Sequence, residues 1–124
     1  IMASELRVNT LKDASGNNSI ATSFVAGGSA KMWSNVQSDQ STQNDSLNVS
    51  STSDEGTGAS RRNLASAFAN NPFSHAGLSV VQPNSAGLSK FTSVSASAVE
   101  TSVRNTSNSA HDKENSCIAT GDLA

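Results

Sequence analysis

The stretch that decides the fold is D-S-L-N-V-S-S-T-S-D-E-G-T-G, residues 45–58. Its first half alternates the apolar residues Leu47 and Val49 with small polar residues, and this period of two indicates a half-buried β-strand. Its second half, D-E-G-T-G (54–58), collects residues that favour turns, and its glycines can adopt the positive φ that tight reversals need. The stretch therefore predicts a strand followed by a tight turn.

The same alternation recurs in short segments along the chain. Glycine, proline and asparagine separate these segments, as turn residues separate the strands of an antiparallel sheet. Two stretches that are poor in apolar residues, 38–45 and 105–116, are predicted to be surface loops. Five or six short strands at this spacing predict an all-β fold, a small antiparallel β-sandwich. Besides 46–50, the expected extended segments are 6–12, 20–25, 76–82, 88–94, 98–103 and 117–119.

The segment from residue 60 to residue 73 allows two interpretations. Leu64 and Phe68 lie four residues apart among several alanines, which on propensity alone favours a short helix. An extended segment is the alternative. Asn71 and Pro72 end the segment in either case, because the residue before a proline avoids the helical conformation.

The composition indicates a domain that needs partners. Only 35% of the 124 residues are hydrophobic and 4% aromatic, 47 are Ser, Asn or Thr, and the net charge is −2. A monomer of this size normally buries about two thirds of its unfolded surface, and the available apolar side chains are few and small, so we expect an oligomer. The sixteen core candidates are Val8, Ile20, Phe24, Trp33, Val36, Leu47, Val49, Leu64, Phe68, Leu78, Val80, Phe91, Val94, Val99, Val103 and Ile118.

Charge and hydropathy exclude two classes of partner. Binding to nucleic acid requires a concentrated basic face, and Arg61-Arg62 is the only basic pair, which we expect to be solvated or in salt bridges. No apolar run approaches the roughly 20 residues of a transmembrane helix, so membrane insertion is not expected.

No motif predicts an enzyme, a cofactor or a metal. Cys117, His75 and His111 have spacings unlike any zinc motif, and Cys117 is expected to be a buried, inert thiol. The sequence has no G-x-S-x-G elbow and no phosphate-binding loop, and the glycines at 56 and 58 are interpreted as turn residues. The acidic residues at 39, 45, 54 and 55 do not form an EF-hand and are expected to be solvated. We therefore predict no catalytic, cofactor-binding or metal-ligating residue.

Four segments, at residues 4–23, 28–36, 45–58 and 121–124, resemble a family of short structural proteins of tailed bacteriophages, especially marine ones. Family members carry K-A-W-x-N-[FM], later D-S-[FL]-N-[IV]-S-S-x-[ST]-D-x-G-T-G-D-Y, and end in G-D-L-A. The chain departs from this pattern after Gly58, where A-S-R-R-N-L (59–64) replaces an Asp-aromatic pair and an alternating strand. Because the family has a strand there, the resemblance favours an extended segment over a helix. The matching segments are S-E-L-R-V-N-T-L-K-D-A-S-G-N-N-S-I-A-T-S (4–23), G-S-A-K-M-W-S-N-V (28–36), residues 45–58, and G-D-L-A (121–124).

The resemblance implies a fold and a location. It implies a β-rich homotrimer on the virion exterior, made in the bacterial cytoplasm, with a jelly-roll-like sandwich at residues 29–124. Residues 1–28 would be an extended N-terminal arm that attaches by adding a strand to a neighbour. The polar loops at 38–46 and 105–116 would face outward, where a receptor or glycan contact would lie.

Two functions follow as hypotheses. The first is an exterior virion subunit, either a capsid decoration, a head fibre or a short tail fibre or appendage, that stabilises the particle or mediates host attachment; its partners would be further copies and the capsid, neck or tail proteins. The second is a lectin-like tip of a tail fibre that recognises host surface polysaccharide, with Trp33, asparagines and loop carboxylates in contact with sugar.

Overall fold

The computed structural model describes residues 4–71, 74–79 and 88–124, and these are predominantly β. One short helix, α1, accompanies the strands. The all-β prediction is therefore confirmed at the level of fold class. In chain order the elements are β1 (Thr10–Lys12), β2 (Ser19–Ala21), α1 (Thr22–Gly28), β3 (Ala30–Val36), β4 (Gln43–Leu47), β5 (Val49–Gly56), β6 (Ala59–Leu64), β7 (Ser74–Ser79), β8 (Leu88–Ser95), β9 (Ala98–Arg104) and β10 (Asn115–Thr120).

The strands form one small and two larger antiparallel sheets. β1 and β2 pair only with each other. The first sheet has the order β4-β3-β10-β7, and the second has the order β5-β6-β9-β8. Hairpins join β3 to β4 and β5 to β6, whereas β10 lies between the distant strands β3 and β7. The last strand thus joins β3 and β7 into one sheet, because it pairs with both.

The inner strands β3, β6, β9 and β10 bury alternate residues. A cluster of six buried side chains forms the centre of the core, with Val49 packed against it as a partly buried neighbour. Among the sequence candidates, Val36, Leu64, Phe68, Val99 and Val103 are confirmed as buried. The cluster consists of Met32, Leu64, Phe68, Val99, Cys117 and Ala119.

The predicted face of the first sheet is wrong. Trp33, Leu47 and Ile118 were expected in the core, but each has more than a third of its surface exposed. Met32 and Cys117, their neighbours along the chain, are buried instead. Successive side chains in a strand point to opposite faces, so the choice of the inward face decides for every residue of the strand whether it is buried. The side chains buried at alternate positions are small, and they determine which face of the strand points inward. Side-chain bulk alone favours the opposite face.

The N-terminal core candidates are also exposed. Val8, Ile20 and Phe24 contribute nothing to the core, and the segment expected to be extended at 20–25 becomes helical from Thr22 onward. Its apolar alternation is too short to compete with the local hydrogen bond from the Ser29 N–H to the Val25 carbonyl, which closes the helix. The side chains of the candidates Leu78, Val80, Phe91 and Val94 lie outside the described residues.

Two strand boundaries differ from the prediction. The polar loop expected at 38–45 ends earlier, because Gln43–Leu47 forms β4 without any apolar alternation. The strand expected at 46–50 is interrupted at Asn48, which has φ 59° and separates β4 from β5. Asparagine tolerates this left-handed conformation better than most residues. In the segment 60–73, the strand prediction is confirmed up to Leu64, where β6 ends.

Gly58 makes the tightest turn of the second sheet. Its φ is +71°, and a Cβ atom placed there would lie 2.6 Å from the Val103 carbonyl oxygen and 2.7 Å from that of His111. Its carbonyl accepts the Val103 N–H at 2.7 Å, and its own N–H donates to the Asp112 carboxylate. The turn between β5 and β6 thus also holds the chain that follows β9.

We expect Gly58→Ala to lower the free energy of unfolding by about 2–5 kcal/mol, because strain at positive φ adds to a collision with rigid backbone. Chemical denaturation followed by circular dichroism would measure the loss. Gly16→Ala is the matched control: Gly16 has nearly the same φ, +72°, but a Cβ atom added there would meet no other atom within 4 Å. An equal loss in both variants would contradict the role of the close approach.

Candidate functional site

Arg62 is the largest fully buried side chain of the described residues. It lies on β6 in the second sheet, and its guanidinium reaches strands of both sheets. Nε donates to Ser34 Oγ of the first sheet at 2.8 Å, and Nη1 donates to Ser60 Oγ at 2.8 Å. Further hydrogen bonds go to Thr101 Oγ1 and Asn115 Oδ1. One cation therefore connects strands of the two sheets.

The polar network extends beyond the arginine. Asn115 Nδ2 donates to Gln40 Oε1 at 3.1 Å, and Gln40 Nε2 donates to the Lys113 carbonyl at 3.0 Å. Ser60 Oγ and Thr101 Oγ1 lie 2.9 Å apart. All acceptors of Arg62 are neutral, and no carboxylate among the described residues forms an ion pair with it. Oriented hydroxyl and amide dipoles thus compensate the buried charge.

Burial alters the acid–base properties of two groups in this core. It lowers the pKa of the Arg62 guanidinium, and a weaker interaction with Cys117 opposes this. Burial also raises the pKa of the Cys117 thiol above its ordinary value of 9.0, although Arg62 and a contact with Ser34 oppose the shift. Cys117 Sγ lies 3.7 Å from Ser34 Oγ. Because the thiolate is the reactive form, the thiol is chemically quiet, as the sequence predicts.

A row of apolar side chains crosses the outer face of the first sheet. Leu47 is opposite Trp33, Trp33 is opposite Ile118, and Ile118 is opposite Ala76 in the strand registers. Directly opposed residues share a face, so the four form a continuous stripe over β4, β3, β10 and β7, called here the apolar row. Leu47, Trp33 and Ile118 are 46%, 38% and 45% exposed. Contiguous exposed apolar surface of this kind marks a binding surface.

Polar groups border the apolar row next to Trp33. Asn35 and Asp45 are opposed residues two positions along the same strands. The Asn44 amide donates to Asn35 Oδ1 at 2.6 Å, and Gln37 Nε2 donates to Asn44 Oδ1 at 2.7 Å. This surface therefore combines an exposed indole with aligned amides and a carboxylate. The indole can pack on apolar groups, and the amides and the carboxylate can bind hydroxyl groups.

The loop that follows β9 is closed by its own hydrogen bonds. Asn105 Oδ1 accepts the N–H groups of Ser107 and Ser109 at 3.0 and 2.8 Å, and the Asn105 N–H donates to the Ser109 carbonyl. The Arg104 guanidinium donates to the Asn108 carbonyl at 2.9 Å. Residues 106–109 are exposed, so this outer part of the predicted loop is presented on an anchored base.

The two arginines of the basic pair have different environments. Arg61 is half-buried and contacts Glu55 at 3.4 Å and Glu100 at 3.1 Å, which confirms the salt-bridge prediction for that residue. The same prediction is wrong for Arg62, which is buried among neutral acceptors. The signal was available in A-S-R-R-N-L (59–64): Ser60, Arg62 and Leu64 have the same parity, so a buried Leu64 turns Arg62 inward.

The acidic loop residues organise their own turns. Asp39 accepts hydrogen bonds from Thr42 and Ser41, and these lower the pKa of its carboxyl. Asp54 accepts the Gly56 N–H at 2.8 Å. His111 Nε2 contacts the Asn105 amide at 3.2 Å. Within residues 4–71, 74–79 and 88–124, no group of three His, Cys, Asp or Glu side chains could hold a metal ion, and no helix is long and apolar enough to cross a membrane.

Comparisons with protein-family models, with curated proteins and with solved structures gave no match.

We expect Arg62→Ala to lower the free energy of unfolding by about 3–5 kcal/mol, because it leaves a cavity and removes the donor that several buried acceptors share. Thermal and chemical denaturation would measure the change. Arg61→Ala is the matched control, since it removes a neighbouring arginine whose ion pairs are partly exposed, and it should cost no more than about 1 kcal/mol. Similar losses in the two variants would contradict the role assigned to Arg62.

Proposed function

We propose that the chain is a bacteriophage virion structural protein, an exterior trimeric decoration or short fibre subunit that stabilises the particle or mediates host attachment. The observation that carries the proposal is the amount of apolar surface left uncovered in a single copy. Among the described residues, ten large hydrophobic side chains are exposed, whereas nine hydrophobic residues form the core. A virion lattice or a set of identical subunits supplies the burial that one chain lacks.

The total surface area supports the same proposal. The chain exposes 7599 Å², whereas a folded monomer of 12.7 kDa is expected to expose roughly 6,200 Å². The excess of roughly 1,400 Å² is larger than the roughly 800 Å² that one partner contributes to a standard interface. A subunit that buries part of its surface against neighbouring copies has such an excess of exposed area when it is considered alone.

The proposed architecture is a β-sandwich of the two four-stranded sheets. Hydrogen bonds from Arg62 in the second sheet to Ser34 and Asn115 in the first support this arrangement. A jelly roll alternates successive strands between its sheets, but here β3 and β4 share one sheet and β5 and β6 share the other. We therefore propose a β-sandwich without the connectivity of a jelly roll.

We expect the purified chain to have three times its monomer mass of 12.7 kDa in native mass spectrometry, because three copies can cover each other's apolar surface. We also expect cryo-electron microscopy of the phage that encodes this sequence to place it on the particle exterior. A chain that stays monomeric at every concentration and is missing from purified particles would contradict the proposal.

A lectin-like tip is the second candidate, and the exposure of Trp33 favours it. An exposed indole beside aligned amides of Asn35 and Asn44 resembles the mixture of apolar and polar contacts that a sugar ring requires. A buried Trp33 would have counted against this function.

For the lectin-like function, polysaccharide from the host surface should change the emission of Trp33, the only tryptophan. Trp33→Ala should weaken binding in a glycan array at least about tenfold, because it removes the packing surface of the ring. Leu123→Ala is the control, since Leu123 is a similarly exposed hydrophobic residue outside the apolar row. Unchanged binding by Trp33→Ala would exclude this surface as the sugar site.

A further inference from the structure

The N-terminal segment, residues 4–28, carries apolar side chains that its own chain does not cover. Phe24 is 73% exposed, and Leu6, Leu11 and Ile20 are exposed as well. Helix α1 has no buried residue and no side-chain cap. The segment therefore presents apolar groups along its length while it contributes none to the described core.

The small hairpin in this segment cannot be stable alone. β1 and β2 have three residues each and pair only with each other, and an isolated two-stranded hairpin is at best marginally stable in water. The Thr22 hydroxyl and N–H bond to the carbonyls of Val8 and Asn9, so the segment folds on itself. It is a compact unit that lacks a surface to pack against.

The apolar row is a surface that lacks a cover. Its large side chains stay exposed although the chain's own N-terminal segment is present, so that segment does not shield them. The hairpin offers a matching surface: Leu11 and Ile20 are opposed residues of β1 and β2, so their exposed side chains share one face.

We propose that the N-terminal segment of one copy lies on the apolar row of a neighbouring copy, with Leu11, Ile20 and Phe24 packed against Leu47, Trp33 and Ile118. The proposal rests on the trimeric assembly proposed above and specifies how neighbours hold each other. A cover of this kind removes two exposed apolar surfaces at once and matches the excess surface area of the single chain. It also excludes a glycan from Trp33 in the assembled protein.

Disulfide trapping tests the proposed pairing in the full-length chain. Leu11→Cys in one copy and Leu47→Cys in another, both with Cys117→Ala, are refolded together and oxidised. We expect a cross-linked dimer at least about tenfold more abundant than in the control mixture that carries Leu123→Cys instead of Leu47→Cys. Equal cross-linking in both mixtures overturns the proposal. So does a disulfide within one chain when a single copy carries both cysteines and is oxidised at high dilution.

Trp33 fluorescence gives a second measurement that does not depend on replacing Cys117. In the assembled protein, iodide should quench Trp33 weakly, and the double variant Leu11→Ser and Phe24→Ser should increase the quenching severalfold. Leu123→Ser, the matched control, should leave it unchanged. Strong quenching in the unaltered protein at the concentration where it is oligomeric overturns the proposal.

The outcomes separate this inference from the proposed function. A trimer on the particle with an open Trp33 would retain the virion role and overturn the packing of the N-terminal segment. Specific cross-linking in a protein that is missing from the particle would retain the packing and overturn the virion role.

Discussion

A positive charge with no carboxylate partner among the described residues is bonded to strands of both large sheets, and the registers of those strands must supply its acceptors. Removing an arginine from water costs several kcal/mol unless its donors are all bonded. Here Ser34, Ser60, Thr101 and Asn115 supply the acceptors from four different strands. A shift of one residue in any of these strands would turn its acceptor to the opposite face. The guanidinium therefore specifies the mutual position of β3, β6, β9 and β10 more narrowly than their small apolar side chains could.

This polar interior explains the distribution of apolar residues in the rest of the chain. The inward positions of the first sheet hold Met32, Cys117 and Ala119 beside the hydroxyl and amide groups that bind the arginine. The larger side chains Trp33 and Ile118 are then on the outer face. The low hydrophobic content and the exposed apolar row are thus two aspects of one arrangement.

The sequence predicted the fold class and strands such as β9, whose alternation includes Val99 and Val103. Prediction from the sequence failed where the polarity of a residue does not indicate whether it is paired in a strand or buried. β4 was missed because Gln43–Leu47 pairs through its backbone and has no apolar period. In β3, Met32 and Trp33 are adjacent, so hydrophobicity alone could not decide which one faces inward. Arg62 was misplaced because its partners come from residues far apart in sequence. The spacing of residues in a motif does not reveal such a set of partners. The parity that Arg62 shares with the buried Leu64 does indicate that Arg62 points inward.

The loop after β9 separates the parts of the chain that must stay constant from those that can vary. Its base is fixed by Asn105 and by backbone hydrogen bonds near Gly58, whereas the side chains of residues 106–109 point into solvent and support none of these contacts except through their backbone. Substitutions at residues 106, 107 and 109 thus carry little thermodynamic penalty, whereas Asn108 has φ 62°, which few residue types tolerate. The side chains of these exposed positions can therefore change while the two sheets and their buried cation stay the same.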